Sequence, residues 1–187
     1  MGVLSPIPGS AALLAASRSA TIKKVSIIGS MKEPYRLDGA VDLFDCAAQG
    51  RIDAFFLSGG QIDGQANVNL TGIGQYPNQD TRWSGAFGSA YLYFLVSKVI
   101  LFREEHTRRV FVPKVDFISA PGTSAPNVYR PGGPYALVTP LCLFSFNRTK
   151  ECFRLESIHP GHTLEEVRDK TRIEVTPTHN RRCRTSA

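Results

Sequence analysis

Residue types suited to ligand chemistry gather in Ser58-Gly59-Gly60-Gln61-Ile62-Asp63, then in Asn67-Val68-Asn69 and Gly72-Ile73-Gly74. The apolar run Ala54-Phe55-Phe56-Leu57 precedes them and reads as a buried strand. Glycines let backbone amides approach a ligand closely. Amide and carboxylate side chains fix a polar group once water is excluded. In an open α/β sheet, ligands sit beyond the carboxyl ends of strands. Gly60, Gln61, Asp63, Asn67 and Asn69 are therefore candidate binding residues. A second loop, Trp83-Ser84-Gly85-Ala86-Phe87-Gly88-Ser89, leads into a predicted helix over residues 90–95. A glycine loop opening a helix presents unpaired N–H groups and suits an anion such as a carboxylate, a phosphate or a thioester oxyanion. Gly85, Gly88 and Ser89 join the candidates on that ground. For both loops the competing reading is a tight turn packed on its neighbours, and for Asp63 an Asx turn.

Other chemistries find no support in the motifs. There is no GxSxG elbow, no Gly-Lys-Ser/Thr phosphate loop and no full dinucleotide fingerprint. His159 and His162 are separated by Pro160-Gly161, so the pair reads as a turn, and no metal is expected. No catalytic residue of this chain is assigned.

The elements that must hold these loops follow from periodicity and punctuation. A small-residue helix is predicted over residues 10–17, containing Ala11-Ala12-Leu13-Leu14-Ala15-Ala16, which reads as a core helix rather than an export signal. Val25-Ser26-Ile27-Ile28 reads as a strand, residues 40–49 as an amphipathic helix closed by Gly50, and residues 54–57 as the next strand. Further strands are expected at 99–102, at 110–117 with an interruption at Pro113, and at 135–138, 141–146, 152–158 and 172–175. Residues 119–134 read as a long loop, and Thr163-Leu164-Glu165-Glu166 as a capping box opening a short helix. The expected fold class is α/β: an open, mostly parallel sheet flanked by helices, with an antiparallel C-terminal section.

The chain has 187 residues, 42% of them hydrophobic and 20% charged, enough for one domain with a real core. We divide it into a domain over 1–175 and a basic tail over 176–187, expected to be disordered. Three of the six net positive charges are Arg181, Arg182 and Arg184 of that tail, with no aromatic residues between them. The basic pI thus gives no reason to expect a nucleic acid partner. No apolar run reaches membrane-spanning length. Cys46, Cys142, Cys152 and Cys183 form no CxxC pair and read as buried thiols of a reducing, cytoplasmic compartment.

Taken together the segments are similar to one family. Gly60-Gln61-Ile62-Asp63 with Asn67-Val68-Asn69 resembles the GxQ(V/I)DxxGNxN segment of the beta subunits of family I coenzyme A transferases. Thr81-Arg82-Trp83-Ser84-Gly85 with Gly88, the stretch from Arg108 to Ser119, the strands around Tyr135 to Phe146, and Ser157-Ile158-His159-Pro160-Gly161-His162-Thr163 resemble later segments in order. The branches most resembled are the beta subunits of glutaconate CoA-transferases and the steroid-ring-cleaving CoA-thioester hydrolases. The resemblance implies a CoA-transferase-like α/β fold, an acyl-CoA substrate with no separate cofactor, and an alpha-subunit partner in a heterodimer or heterotetramer. It also implies transferase or hydrolase activity at a site shared with that partner.

In the transferases a beta-subunit glutamate in an ESG or ENG motif attacks the thioester. Here Ile28 stands in that place, and Glu33 lies in a different register. In the hydrolase branch the acting glutamate belongs to the alpha subunit. Ala66 replaces the family's glycine before Asn67, and Phe87 replaces a glycine of the transferase loop, narrowing that pocket. The family's usual N-terminal elements are not matched. A non-catalytic structural subunit, or a truncated, inactive homologue, is the alternative function.

Overall fold

The computed structural model describes residues 6–28 and 39–175. The chain divides into two compact units, one reaching to Leu43 and one starting at Phe44. Glu33, Cys183 and the basic tail lie outside the described residues.

In the first unit, helix α1 runs over Pro6–Arg18. No residue of α1 is buried, and Leu13 and Leu14 are about half exposed. This corrects the expected core helix. Adjacent leucines point about 100° apart on a helix and make no single apolar stripe. Residues 25–28 form no strand, and Ile28 is exposed. Their apolar character alone does not make a strand without a neighbour to pair with.

Helix α2 spans Gly39–Ala48. It ends where the sequence predicts: Gly50 takes φ 68°, its N–H donates to the Ala47 carbonyl at 3.1 Å, and Arg51 donates to Cys46 at 2.8 Å. That is a Schellman closure, which favours glycine at the left-handed position.

The second unit is built on a five-stranded sheet. Its strands are β1 (Ala54–Leu57), β6 (Lys98–Phe102), β7 (Pro134–Val138), β8 (Cys142–Asn147) and β9 (Cys152–Ile158), paired in that order. β1, β6 and β7 run parallel; β8 and β9 continue antiparallel. The mixed sheet agrees with the expected α/β class. β1 is an edge among the described residues, which explains its burial: only Leu57 is buried, and Ala54 is exposed. The expectation of a fully buried strand there is corrected on that ground. Helix α3 (Ser89–Leu95) lies in the connection from β1 to β6. Helix α4 (Leu164–Lys170) follows β9, and Thr163 caps it by accepting from the Glu166 N–H at 3.2 Å. The Glu166 carboxylate turns to His162 and Lys170 instead of completing a capping box.

Between the sheet strands sit two hairpins. β2 (Gln61–Ile62) pairs with β3 (Val68–Asn69), and β4 (Gly72–Ile73) with β5 (Thr81–Arg82). Residues 110–117 are not the predicted strand. They pair with the first hairpin as backbone through a single β-bridge, Ile62 to Phe111, because Pro113 removes a donor and the chain then turns. Residues 172–175 likewise form no strand; Arg172 donates one backbone bond to Phe111. Ile62, Val68, Val110, Phe111 and Ala120 are almost wholly buried and join the hairpin to the 110–120 segment. Arg130 ties the long 119–134 loop down. It donates to the Tyr93 and Pro121 carbonyls at 3.2 and 2.8 Å and stacks on the Tyr93 and Phe94 rings.

Cys46 and Cys142 are free thiols, as expected. Burial raises the Cys142 thiol, so it is no ready nucleophile. No helix among the described residues is long and apolar enough to cross a membrane.

Candidate functional site

The polar residues of the first loop turn inward. Asp63 is 2% exposed. Its Oδ1 accepts from the N–H groups of Gln65 and Asn67, each at 3.0 Å, and its Oδ2 accepts from Asn67 Nδ2 at 3.0 Å and Val115 N at 3.5 Å. This is the Asx-turn geometry, closing residues 63–67. Burial raises the Asp63 carboxyl above the ordinary aspartate value, while the Asn67, Val115 and Gln65 donors pull the other way.

Asn69 Nδ2 donates to Gln61 Oε1 at 2.8 Å and to the Gly72 carbonyl at 2.7 Å, and its Oδ1 accepts from Thr71 N at 2.9 Å. Gln61 Nε2 donates to Asp116 Oδ2 at 3.1 Å, and Gln61 Oε1 accepts from Asp116 N at 3.0 Å. Asn67 Oδ1 accepts from Gly122 N at 3.0 Å. The four side chains are brought together, but mostly to satisfy one another. They set the shape of the hairpin, so a bound group would meet what they position rather than their own atoms.

Ala66 completes this turn at φ 62° and is fully buried, so the position does take the left-handed conformation that favours glycine. The buried Tyr93 hydroxyl donates to its carbonyl at 2.9 Å. Gly60 is required for space, because a Cβ there would overlap the Trp83 indole. Gly60→Ala is expected to cost about 2 kcal/mol by overpacking. Trp83 is the chain's one tryptophan, so its fluorescence reports the change directly. An unchanged emission maximum and urea midpoint would contradict this packing.

The second loop has a different character. Gly85 takes φ 90° and Phe87 φ 48°. The Gly85 N–H already donates to Leu70 at 3.1 Å, and that of Ser89 to Ala86 at 2.8 Å. Those two amides, expected to face a ligand, are committed. Between them the turn holds three successive N–H groups, those of Ala86, Phe87 and Gly88, without an acceptor among the described residues. Gly88 is fixed by contact, since a Cβ there would overlap the Phe44 ring.

A cavity of about 460 Å³ opens beside Gln61, Ile73, Lys114 and Asp116. Arg108 and Arg109 on its wall are already ion-paired, with Asp169 at 2.7 Å and Glu105 at 2.8 Å. The predicted turn at His159 and His162 is present, with His162 N donating to the His159 carbonyl at 3.2 Å. Their rings bond the Thr139 carbonyl and Glu166. Sequence reasoning missed Asp116 and Ser119 as partners of the first loop. Ser119 Oγ accepts from Leu70 N and pairs with Thr71 Oγ1, both at 2.8 Å. Their contacts run across some fifty residues of sequence, so no local spacing announces them.

A mixed sheet with parallel β1, β6 and β7 and a glycine turn after β1 is an open α/β architecture. Within that class the chain belongs to the Coenzyme A transferase family, which it matches over residues 8–170. The chain is 34% identical over 128 residues to the B chain of the 3-oxoadipate CoA-transferase of Pseudomonas knackmussii, covering 65% of this chain and 49% of that relative. It is 32% identical over 168 residues to the cholesterol ring-cleaving hydrolase IpdB subunit of Rhodococcus jostii, covering 88% of this chain and 63% of that protein. The crystal structure of Rhodococcus jostii IpdAB superposes with a TM-score of 0.67 at 28% identity, over 76% of this chain and 60% of that one. The chain spans about half the length of the first curated relatives it matches, 49% and 47%.

Proposed function

We propose that this chain is the beta-type subunit of a heteromeric enzyme acting on acyl-CoA thioesters, by coenzyme A transfer or by thioester or ring-opening hydrolysis. The observation that carries the reading is the exposed turn with uncommitted N–H groups at Ala86, Phe87 and Gly88. Such donors stabilise the oxyanion that forms when a thioester carbonyl is attacked. Gln61, Asp63, Asn67 and Asn69 act in this reading by holding the neighbouring hairpin. Gly60 and Gly88 make room for the Trp83 and Phe44 rings, and Gly85 and Ser89 shape the turn through committed amides. Coenzyme A enters as part of the substrate, not as a resident cofactor.

The glutamate that attacks or activates comes from an alpha-type partner subunit. Ile28 stands where a beta-subunit glutamate would be, and its side chain has no acid–base chemistry. The proposed assembly is a heterodimer or heterotetramer in the cytoplasm.

A second reading, a non-catalytic structural subunit, is favoured by the same Ile28 and by the self-satisfied first loop. Co-expression with an alpha-type subunit separates the two. The purified complex is incubated with an acyl-CoA, with and without a carboxylate acceptor. Free thiol release without acceptor marks hydrolysis, and new acyl-CoA marks transfer. For the subunit reading, both this chain and the partner are required for turnover. Full activity of the partner alone would remove this chain from the chemistry.

A further inference from the structure

Four cationic side chains gather on the cavity of about 460 Å³ beside the first hairpin, and a single carboxylate, Asp116, lines it with them. Asp116 is engaged: its Oδ2 accepts from Gln61 Nε2 at 3.1 Å and from Gly74 N at 2.9 Å. Arg108 is paired with Asp169 at 2.7 Å. Arg109 has only a shared counter-ion, because Glu105 meets it at 2.8 Å and also meets Arg103 at 3.7 Å. The Lys114 and Arg172 side chains have no partner among the described residues. These cations come from two stretches far apart in sequence, and backbone bonds hold the stretches in place. Arg172 N donates to the Phe111 carbonyl at 3.0 Å, and Val112 N donates to the Ile62 carbonyl at 3.1 Å. Ile73, Val112 and Pro113 give the same cavity apolar walls. Charges of one sign against apolar walls focus the potential and draw counter-ions in.

We infer that this cavity is a binding site for a phosphate-class dianion, held by Lys114 and Arg172. The site does not include the turn at Ala86, Phe87 and Gly88, and it stands independently of the thioester reading. Two unpaired cations match the charge of a phosphate group near neutral pH, which is roughly −2. Arg172 offers a planar fork of donors that grips two oxygens, and Lys114 a compact charge for a third. A monocarboxylate would leave one of the two cations unpaired. Arg108 and Arg109, although paired, add positive potential on the same wall. The Asp116 carboxylate opposes an anion, and the two N–H groups it accepts offset part of its charge.

The test is calorimetric titration of the full chain with sodium phosphate at fixed ionic strength. Wild type is expected to bind one phosphate per chain, more weakly as sodium chloride is raised. Lys114→Gln and Arg172→Gln are each expected to weaken binding at least about tenfold, by loss of a charge-assisted hydrogen bond. Lys114→Arg keeps the charge and is expected to stay within about threefold of wild type. Lys150→Gln, exposed and outside the cavity, is expected to change nothing. Competition then identifies the source of the phosphate group. Displacement by coenzyme A assigns the site to phosphates carried on that ligand, and its failure to displace assigns the site to free phosphate. Absence of phosphate binding to wild type overturns the inference, as does binding unchanged when Lys114→Gln and Arg172→Gln are combined. Equal affinity for succinate also overturns it, making the cavity a dicarboxylate site. None of these readings involves turnover, so failure here leaves the proposed acyl-CoA function to its own assay.

Discussion

Asp63→Ala is expected to unfold the first hairpin and to lower Tm by about 10 °C or more, equivalent to about 4 kcal/mol. The carboxylate receives the N–H groups of Gln65, Asn67 and Val115 and the Asn67 side-chain amide. Alanine leaves the buried Val115 N–H and the half-buried Asn67 donors without the carboxylate, and an orphaned buried group costs about 1–3 kcal/mol before any relaxation. Ala66, in the same turn, is held in a left-handed conformation that the turn's bonds must enforce, so losing them releases it. Asp63→Asn keeps the volume and one acceptor, and its expected cost is about half as large.

The comparison discriminates between a structural and a ligand-binding aspartate. A carboxylate that binds substrate loses activity on amidation while the fold stays intact. One that ties a turn loses stability first, and activity of the complex follows. Urea unfolding followed through Trp83, alongside turnover of the complex, reads both. Asp63→Ala with a wild-type urea midpoint would refute the scaffold role.

That outcome bears on how far the sequence could be read. The strands Ala54–Leu57 and Cys152–Ile158 lie where the apolar runs place them, and Gly50 closes α2 as its position demands. Those features depend on residues close together in the chain. The apolar runs at residues 25–28 and 110–117 mislead, because a strand needs a partner and Pro113 denies one. The first loop is legible as an unusual cluster of polar residues, but not in its direction. Whether Gln61 faces a ligand or Asp116 depends on a contact across 55 residues. Phe87 shows the reverse: its place in the loop is visible from the glycines around it, while its exposure follows only from a backbone angle.

Lowering the pH from 7 to 5 is expected to remove about 2 kcal/mol of stability through His106 alone. This histidine is 6% exposed. Its Nδ1 pairs with Thr139 Oγ1 at 2.9 Å, and its Nε2 has no partner. An imidazolium must donate from both nitrogens, and here Nε2 has no acceptor among the described residues, while the Phe111 ring packs beside the imidazole at 4.6 Å between centroids. Burial, with a smaller contribution from Lys170 and an opposing one from Glu166, lowers its pKa to about 4 from 6.5. The unfolded chain therefore binds a proton near pH 6.5 that the folded chain refuses until about pH 4. In that window the unfolded state holds more protons, so stability is present above it and falls as pH falls.

Glu105 and Glu166 are lowered to about 2, so their contributions are lost only below the ordinary glutamate value. Over the interval from pH 7 to pH 5 the raised Asp63 carboxyl acts in the opposite sense, so the histidine's share is read from the difference between two proteins. Urea midpoints of wild type and His106→Gln across that interval make the test. Glutamine keeps a polar partner for Thr139 but cannot titrate, so its midpoint should fall less than that of wild type. Parallel pH profiles for the two proteins would show that His106 is not the group responsible.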